Sequence, residues 1–546
     1  MVDTMFARRS RHAGPRALIL VWLGIASGLP LLSTASAQTL SARDSARIVL
    51  NRLAYGPRPG DIDRVASMGV VRWIDAQLKP GKDPAREEVE KGFDILHLDR
   101  EELASRFVNA RMARRAARSD PTVRGNDPAM GEMQELGAEF QQLAVARAVV
   151  AESQLQEVMS DFWINHFNVF LNKNVERFLL PSYVEETIRP RALGRFEDLL
   201  IATAESPAMM VYLDNTLSVV SGAVPPELEK ARMRAMRQQT WRADSALARV
   251  RARMPVGINE NYARELFELH TLGVDAGYTQ KDVTEAARVL TGWGVEPPAR
   301  GGAFVFRDWA HDYGEKTVLG VRFPAGHGQD EGVKLLRMLA RNPATMLHVT
   351  TQLCQRLIAD DPPAGAIEAG VQAWRKSDGS IREVVRAIVM SPEFWDVARA
   401  RAKFKTPLEF VVSSVRAVGG STGARPGLAR AVARLGQPLY LQPVPTGYKE
   451  GEAAWANSSA LFERMNVAVA LAANQIPGVE VDLDQVVSTT DNAGALVDRV
   501  DEALLAGSMT ERTQSVIKRE IADLPPRQAR ALAVGLSLGG PEFQQE

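Results

Sequence analysis

Asn259-Glu-Asn-Tyr-Ala-Arg-Glu-Leu-Phe-Glu-Leu-His-Thr-Leu-Gly-Val-Asp-Ala-Gly-Tyr-Thr-Gln-Lys-Asp-Val-Thr-Glu-Ala-Ala-Arg-Val-Leu-Thr-Gly-Trp293 reads as two short helices joined by a glycine-containing turn. Much of its polarity has a structural duty. Thr279 is the N-cap of the second helix, with Asp282 three residues on, a variant of the capping box. Gly292 closes that helix in a left-handed conformation. Arg264 and Glu268, and likewise Glu285 and Arg288, are spaced as intrahelical ion pairs, each contributing only ~0.3 kcal/mol when exposed. Asn261, Glu265 and His270 are left without a local duty. A carboxylate beside an imidazole is a general-base arrangement; a polar network that locks two helices together uses the same residues.

The helical pattern continues outward. Ala46 to Leu53, Val71 to Leu78, Met133 to Phe162 and Phe196 to Ala204 space their apolar residues at three and four. Ser206-Pro207, Asn342-Pro343, Ser391-Pro392 and Thr406-Pro407 place a capping residue before Pro at the first helical position, where no amide hydrogen is needed. Thr406 to Glu409 is also a capping box. Strand signals are confined to residues 301–320, where Ala-Phe-Val-Phe-Arg and Lys-Thr-Val-Leu-Gly flank Asp308-Trp-Ala-His-Asp-Tyr-Gly. The expected fold is all-α, with a small extended or hairpin excursion there. Gln437 to Gly451, rich in Pro and Gly, reads as a structured loop. The expected division is a main helical domain over 38–475 and a C-terminal helical extension over 476–546.

The N-terminus reads as a targeting segment. Arg8, Arg9, Arg11 and Arg16 precede an apolar run, Ala17 to Leu32, and Ala35-Ser36-Ala37 fits the small-x-small cleavage rule. A signal peptide over 1–37 and a periplasmic or secreted protein are expected, by the general secretory route. The apolar run is too short and too interrupted to span a bilayer.

Formal charge over the full chain is zero, and segment 1–37 carries four Arg against Asp3, so its removal leaves a slightly acidic protein. That balance argues against nucleic acid. Two stretches are basic: Lys230 to Arg253, and Arg111 to Arg124. They read as mobile inserts near 111–128 and 225–256, or as a docking face for an anionic polymer or membrane surface. Cys354 is the sole cysteine, so no internal disulfide forms. Its place in Thr-Gln-Leu-Cys-Gln-Arg-Leu suits a buried, inert thiol.

Among seven His, no pair has His-x-His or His-x-x-x-His spacing, so no local zinc motif exists. In Asp161-Phe-Trp-Ile-Asn-His-Phe-Asn-Val-Phe170, a helix sets Asp161, Asn165 and Asn168 on one side and Trp163, His166 and Phe167 on another. Aromatics around an imidazole make a ligand pocket or, more often, a core in which the His has one hydrogen-bond partner. His311-Asp312, followed by Lys316, lies on the extended loop. Metal ligation, proton transfer, or a turn fixed by the Asp side chain are all open there.

These runs come in an order that resembles the domain of unknown function 1800 family. Val49-Leu-Asn-Arg-Leu-Ala-Tyr-Gly-Pro-Arg-Pro-Gly-Asp-Ile and Trp73-Ile-Asp-Ala-Gln-Leu are similar to its opening. Phe162-Trp-Ile-Asn-His-Phe, Tyr212-Leu-Asp-Asn215 and Asn259 to Trp293 are similar to its middle. His311-Asp-Tyr-Gly-Glu-Lys-Thr-Val-Leu-Gly320, Asn342-Pro-Ala-Thr345, Ser391-Pro-Glu-Phe394 and Lys405-Thr-Pro407 continue the series. Pro445-Thr-Gly-Tyr448 with Trp455-Ala-Asn-Ser458 resembles its late element, though Tyr448 stands where many members carry Trp. His348 also departs from the usual pattern. The resemblance covers roughly Leu40 to Leu471. It implies an exported, mostly helical bacterial protein, working alongside an exported sulfatase-like partner. It implies no reaction, cofactor or catalytic residue.

Two functions are carried forward. The first is an accessory or binding protein of the cell envelope, held by a partner protein or an anionic envelope polymer. The absence of recognisably spaced catalytic carboxylates favours it. The second is a hydrolase whose site gathers His166, Glu265, His270, His311 and Asp312 from distant segments, with Asn261, Arg288, Trp293 and Lys316 as binding groups.

Overall fold

A computed structural model describes residues 40–119, 128–173, 175–238, 257–396, 401–490 and 492–546, with 248 and 399 besides. The targeting segment lies outside the described residues. So does part of each basic stretch; their described parts end the helix Arg100–Ser119 and form the helix Pro226–Gln238.

Helix takes 62% of the chain and short strands 4%, so the fold is mainly helical and the strands are appendages to it. Helix starts follow the local chemistry. The Thr279 side chain accepts from the Asp282 amide and the Asp282 side chain answers to the Thr279 amide, opening Gln280–Val289. Thr406 and Glu409 close the same box at Pro407–Ala417, and the Asn342 side chain caps Pro343–Leu357 through the Ala344 amide. Ser206 and Ser391 stand before their prolines without a side-chain cap. Pro392–Trp395 is only a short 3₁₀ turn, whereas Pro207–Tyr212 is α-helical.

The excursion is two hairpins, where the sequence pattern suggests one. Strand β1 (Trp293–Val295) pairs antiparallel with β2 (Phe304–Phe306), Trp293 opposite Phe306. Strand β3 (Lys316–Val318) pairs with β4 (Val321–Phe323). The apolar run Phe304–Phe306 thus folds back on Trp293 rather than forward on Lys316. Its turn is eased by Gly301 and Gly302, both at positive φ. The second hairpin turns through Leu319 and Gly320, with φ of 51° and 77°, the pair of positive values that a type I′ turn requires. Leu319 is held in that uncommon conformation by its amide, which donates to Asp282 Oδ1 at 2.7 Å. One carboxylate therefore caps a helix and fixes a turn.

A third small pair, β5 (Ser421–Thr422) with β6 (Val479–Glu480), ties the C-terminal helices to the rest. Lys403 and Glu546 exchange backbone hydrogen bonds at 3.1 and 2.9 Å, and the Lys405 amide donates to the Gln544 carbonyl. Residues 476–546 are thus bonded through backbone to residues 403–405 and 421–422. The helices Ser458–Ala472 and Pro526–Gly539 approach closely at Gly535, where a Cβ would lie 2.8 Å from Val469 Cα.

Trp163, Trp293, Trp374, Tyr183 and Tyr262 are among the largest fully buried side chains. Cys354 is buried and unbridged, and burial pushes its thiol up to about 12, leaving it inert at neutral pH. Among the described residues no helix is long and apolar enough to cross a membrane.

Candidate functional site

The residues singled out in the sequence fall into two groups. The first locks the excursion onto the helix Gln280–Val289. Arg288 donates to both Asp312 oxygens, from Nε at 2.8 Å and Nη2 at 3.2 Å, and through Nη1 to Glu285 and the Glu315 carbonyl. The Asp312 amide donates to Thr291 Oγ1 at 2.8 Å, and Asp312 Oδ1 accepts from the Gly314 amide. The Arg288 guanidinium and these donors hold the Asp312 carboxyl below the usual range, against the opposing effect of burial. His311 is fully buried, with Nδ1 2.7 Å from the Thr291 carbonyl and Nε2 3.1 Å from the His327 carbonyl. Lys316, equally buried, donates to the Asp312 carbonyl and to Glu331 Oε2 at 2.5 Å. Trp293 is packed in the interior, its ring against Gly332 and edge-on to Phe304. Gly292, at φ 82°, lets the chain pass; a Cβ there would lie 2.9 Å from the Arg307 carbonyl and 3.1 Å from His311 Cβ.

The second group surrounds the end of the first helix of the motif. Asn261–Glu265 runs into a wide π turn, Leu266–His270. A helix end leaves carbonyls without intrahelical donors. Two imidazoles meet them here: His348 Nε2 lies 3.3 Å from the Leu269 carbonyl, and His166 Nε2 lies 3.2 Å from the His270 carbonyl. His166 Nδ1 is 2.8 Å from the Gln352 side-chain oxygen. Burial, reinforced by His348, holds His166 down at about 4, so the ring is neutral at ordinary pH. A neutral ring donates through one nitrogen only, so it satisfies the His270 carbonyl or the Gln352 oxygen, unless the Gln352 amide turns over. His270 is buried too, shifted in the same direction by burial, and its Nε2 has no partner among the described residues.

Glu265 is half-buried, and burial followed by the neighbouring Glu268 raises its carboxyl. Asn261 donates to the Leu213 carbonyl at 3.2 Å. The contacts of His311 and Asp312 run to Thr291, Arg288, Lys316 and Glu331; those of His166 and His270 run to each other, Gln352, Phe162, Trp163 and Phe167. Among the described residues no hydrogen bond, ion pair or ring contact joins the two groups.

His166 borders a cleft. It opens between the helix Gln154–His166, the helix Pro343–Leu357 and the loop 446–451, with a cavity of about 280 Å³. Asn165, Gln352, Gln355, Asp360, Tyr448, Lys449 and Glu450 line it. The loop is held on Asn165, whose side chain donates to the Tyr448 carbonyl at 2.8 Å and accepts from the Tyr448 amide at 2.6 Å. Asn168, one turn away, donates to the Gln442 and Val444 carbonyls. Asp360 accepts from the Glu452 amide at 2.7 Å.

A smaller cavity of about 50 Å³ continues behind Asn165, Tyr448 and Glu450 and is bordered by Asp161, Tyr55 and Tyr440. Burial pushes the Asp161 carboxyl up to about 7; Arg356 opposes the shift and Glu450 adds to it. Beside it, Arg189 grips Glu157 with two hydrogen bonds of 2.7 Å, and Arg147 joins Glu185 and Glu90.

The Gln352, Gln355, Asp360 and Glu450 side chains were not singled out in the sequence. Gln352 and Gln355 flank Cys354 on a helix whose apolar spacing masks them, and Glu450 follows the Pro-Thr-Gly-Tyr element at a distance of two residues. Among the described residues no group of three or more His, Cys, Asp or Glu is placed to hold a metal ion.

No curated protein and no solved structure matches this chain. One family model does match, over residues 48–545, and so continues past the last sequence motifs through the C-terminal helices. It spans nearly the full length, and the chain belongs to the family described as protein of unknown function (DUF1800).

Proposed function

We propose that this chain is an exported binding protein of the cell envelope, which holds a polyhydroxylated ligand, such as a stretch of envelope glycan, in the cleft over His166. The observation that carries the reading is the lining itself. Neutral amides, a hydroxyl-bearing ring and carboxylates converge on one hollow, and the Gln355 side chain has no hydrogen-bond partner among the described residues. Such groups match hydroxyls in both donor and acceptor roles. Asp360 and Glu450 outweigh Lys449 on the lining and make the cleft a poorer host for the anionic polymer that the basic stretches suggest. Export rests on the Arg8 to Ala37 pattern, and the sulfatase-like partner on family resemblance alone. Titration calorimetry with neutral glycan fragments tests the binding reading: Gln355→Ala is expected to weaken binding without changing the fold. Parent and variant binding equally, or neither binding any fragment, would sink it. Mass spectrometry of the exported protein should find a mature start at or near Gln38.

Hydrolysis at the smaller cavity behind that cleft is the second reading. It is favoured by the Asp161–Glu450 pair, two carboxylates of which one is held near neutrality, as an acid–base pair needs. It differs from the set His166, Glu265, His270, His311 and Asp312 by using a pair that shares one space. Asp161→Asn separates the readings: loss of turnover with binding retained supports catalysis, and absence of turnover in the parent supports binding alone.

A further inference from the structure

A third cavity, of about 320 Å³, lies between the N-terminal helix Ala42–Arg52, the segment 401–405 and the C-terminal helix Ala493–Leu505. It is distant in purpose from the cleft over His166, and the proposed function does not use it. Lys405, from the Lys-Thr-Pro element, lines it and is almost fully buried, at 3% exposure. Its Nζ lies 3.9 Å from the centre of the Phe543 ring, which lines the same cavity, and has no hydrogen-bond or ion-pair partner among the described residues. An ammonium with three donors and no hydrogen-bond partner in the protein leaves those donors unspent.

Four arginines, Arg43, Arg47, Arg58 and Arg401, also border the space, and two of them are weakly paired. Arg401 has no ion pair among the described residues, and Arg47 reaches only Asp44, at 3.5 Å. The two repel one another: burial first and then Arg47 lower the Arg401 guanidinium. Burial likewise brings Lys405 down to about 8, with Glu546 opposing and Arg464 adding. The other charges on the wall are largely committed. Arg43 pairs with Asp63 at 2.7 Å and with Glu502 at 3.7 Å. Glu542 Oε1 accepts from the Thr510 amide and hydroxyl and from the Thr513 hydroxyl, while its Oε2 is buried without a partner. Ile48, Pro59, Ile62 and Leu505 supply an apolar remainder.

We propose that this cavity binds a small organic anion, with its oxyanion head on Lys405, Arg401 and Arg47 and its apolar body against Phe543 and the neighbouring aliphatic side chains. An oxyanion would take up the unspent Lys405 donors and relieve the repulsion between the two arginines. A neutral molecule could accept from Lys405 but would leave the repulsion between the arginines in place.

Calorimetric titration of the full chain tests this with four probes of one chain length: hexanoate, monohexyl phosphate, hexanol and hexylammonium. The expected result is binding of at least one anion, with hexanol and hexylammonium far weaker. Arg401→Gln, on the exposed rim, should weaken anion binding about tenfold. Lys405→Met should abolish it while circular dichroism stays unchanged. Should Lys405→Met fail to fold, the double variant Arg47→Gln with Arg401→Gln serves in its place. The proposal is overturned if hexanol binds as well as the anions, if no anion binds at millimolar concentration, or if the folded variants bind as the parent does.

Discussion

Asn165 pairs through its side-chain amide with both backbone groups of Tyr448, 283 residues away. Gly447, just before, has φ of 67°, and a Cβ on it would lie 2.4 Å from the Asn165 carbonyl oxygen. The aromatic-histidine helix and the Pro-Thr-Gly-Tyr loop are therefore two halves of one feature, and the cleft exists only while they are joined.

Asn165→Ala should cost about 1–3 kcal/mol, because two half-buried backbone groups of Tyr448 lose their partners. Gly447→Ala should cost a similar amount through its positive φ and the close approach. Both should weaken ligand binding in the cleft more than Gln355→Ala does. Chemical denaturation and calorimetry on the same samples check this; variants that unfold at the parent's midpoint would show the loop to be unimportant for stability.

Local chemistry was legible in the sequence and distant pairing was not. The Thr279–Asp282 and Thr406–Glu409 boxes, the Glu285–Arg288 pair and the left-handed Gly292 each involve residues within four positions, and all are present. The helical fold was legible for the same reason. Which strand Phe304–Phe306 would choose was not, since β1 overlaps the end of the helical motif. Nor was the partner of His166: Gln352 is 186 residues on, in a stretch whose apolar neighbours dominate the pattern. Asp161, Asn165 and Asn168 could be put on one side of a helix, but the value of that side came from the loop that covers it.

Acid should destabilise the protein through its histidines. His166 and His348 both charge less readily when folded, the first only near 4, chiefly because burial disfavours the imidazolium. Between the ordinary histidine range and about 4 the unfolded chain binds more protons, so stability rises with pH across that window and is lost as pH falls. Denaturant unfolding at pH 5 and pH 7 measures the slope. His166→Gln should flatten it by up to about 1.4 kcal/mol per pH unit, one proton's worth; an unchanged slope would mean that His166 titrates alike in both states.

Asp161 has the opposite sign. Its folded pKa is raised to about 7, so its penalty is absent at low pH, grows as pH rises past the unfolded value, and is complete above about 7. Asp161→Asn should therefore stabilise the fold at pH 8, on the order of 2 kcal/mol, and have little effect at pH 4. A variant less stable than the parent at pH 8 would show that the carboxylate is held by favourable contacts.

Lys316 and Glu331 give the clearest separation of scaffold from cleft. Their ion pair is fully buried, 2.5 Å long, with His311 Nε2 3.5 Å from the same Glu331 oxygen. Removing one partner strands the other charge in the interior, so Lys316→Met should cost about 3–5 kcal/mol. Replacing both, with Glu331→Met added, should recover most of that loss, because two apolar chains of similar volume need no compensation. His311 then loses a charged neighbour but keeps the Thr291 and His327 carbonyls. The double variant should bind ligands in the cleft over His166 as the parent does, since no hydrogen bond, ion pair or ring contact among the described residues joins the two groups. A folded double variant that loses such binding would instead show that His311, Asp312 and Lys316 act together with His166.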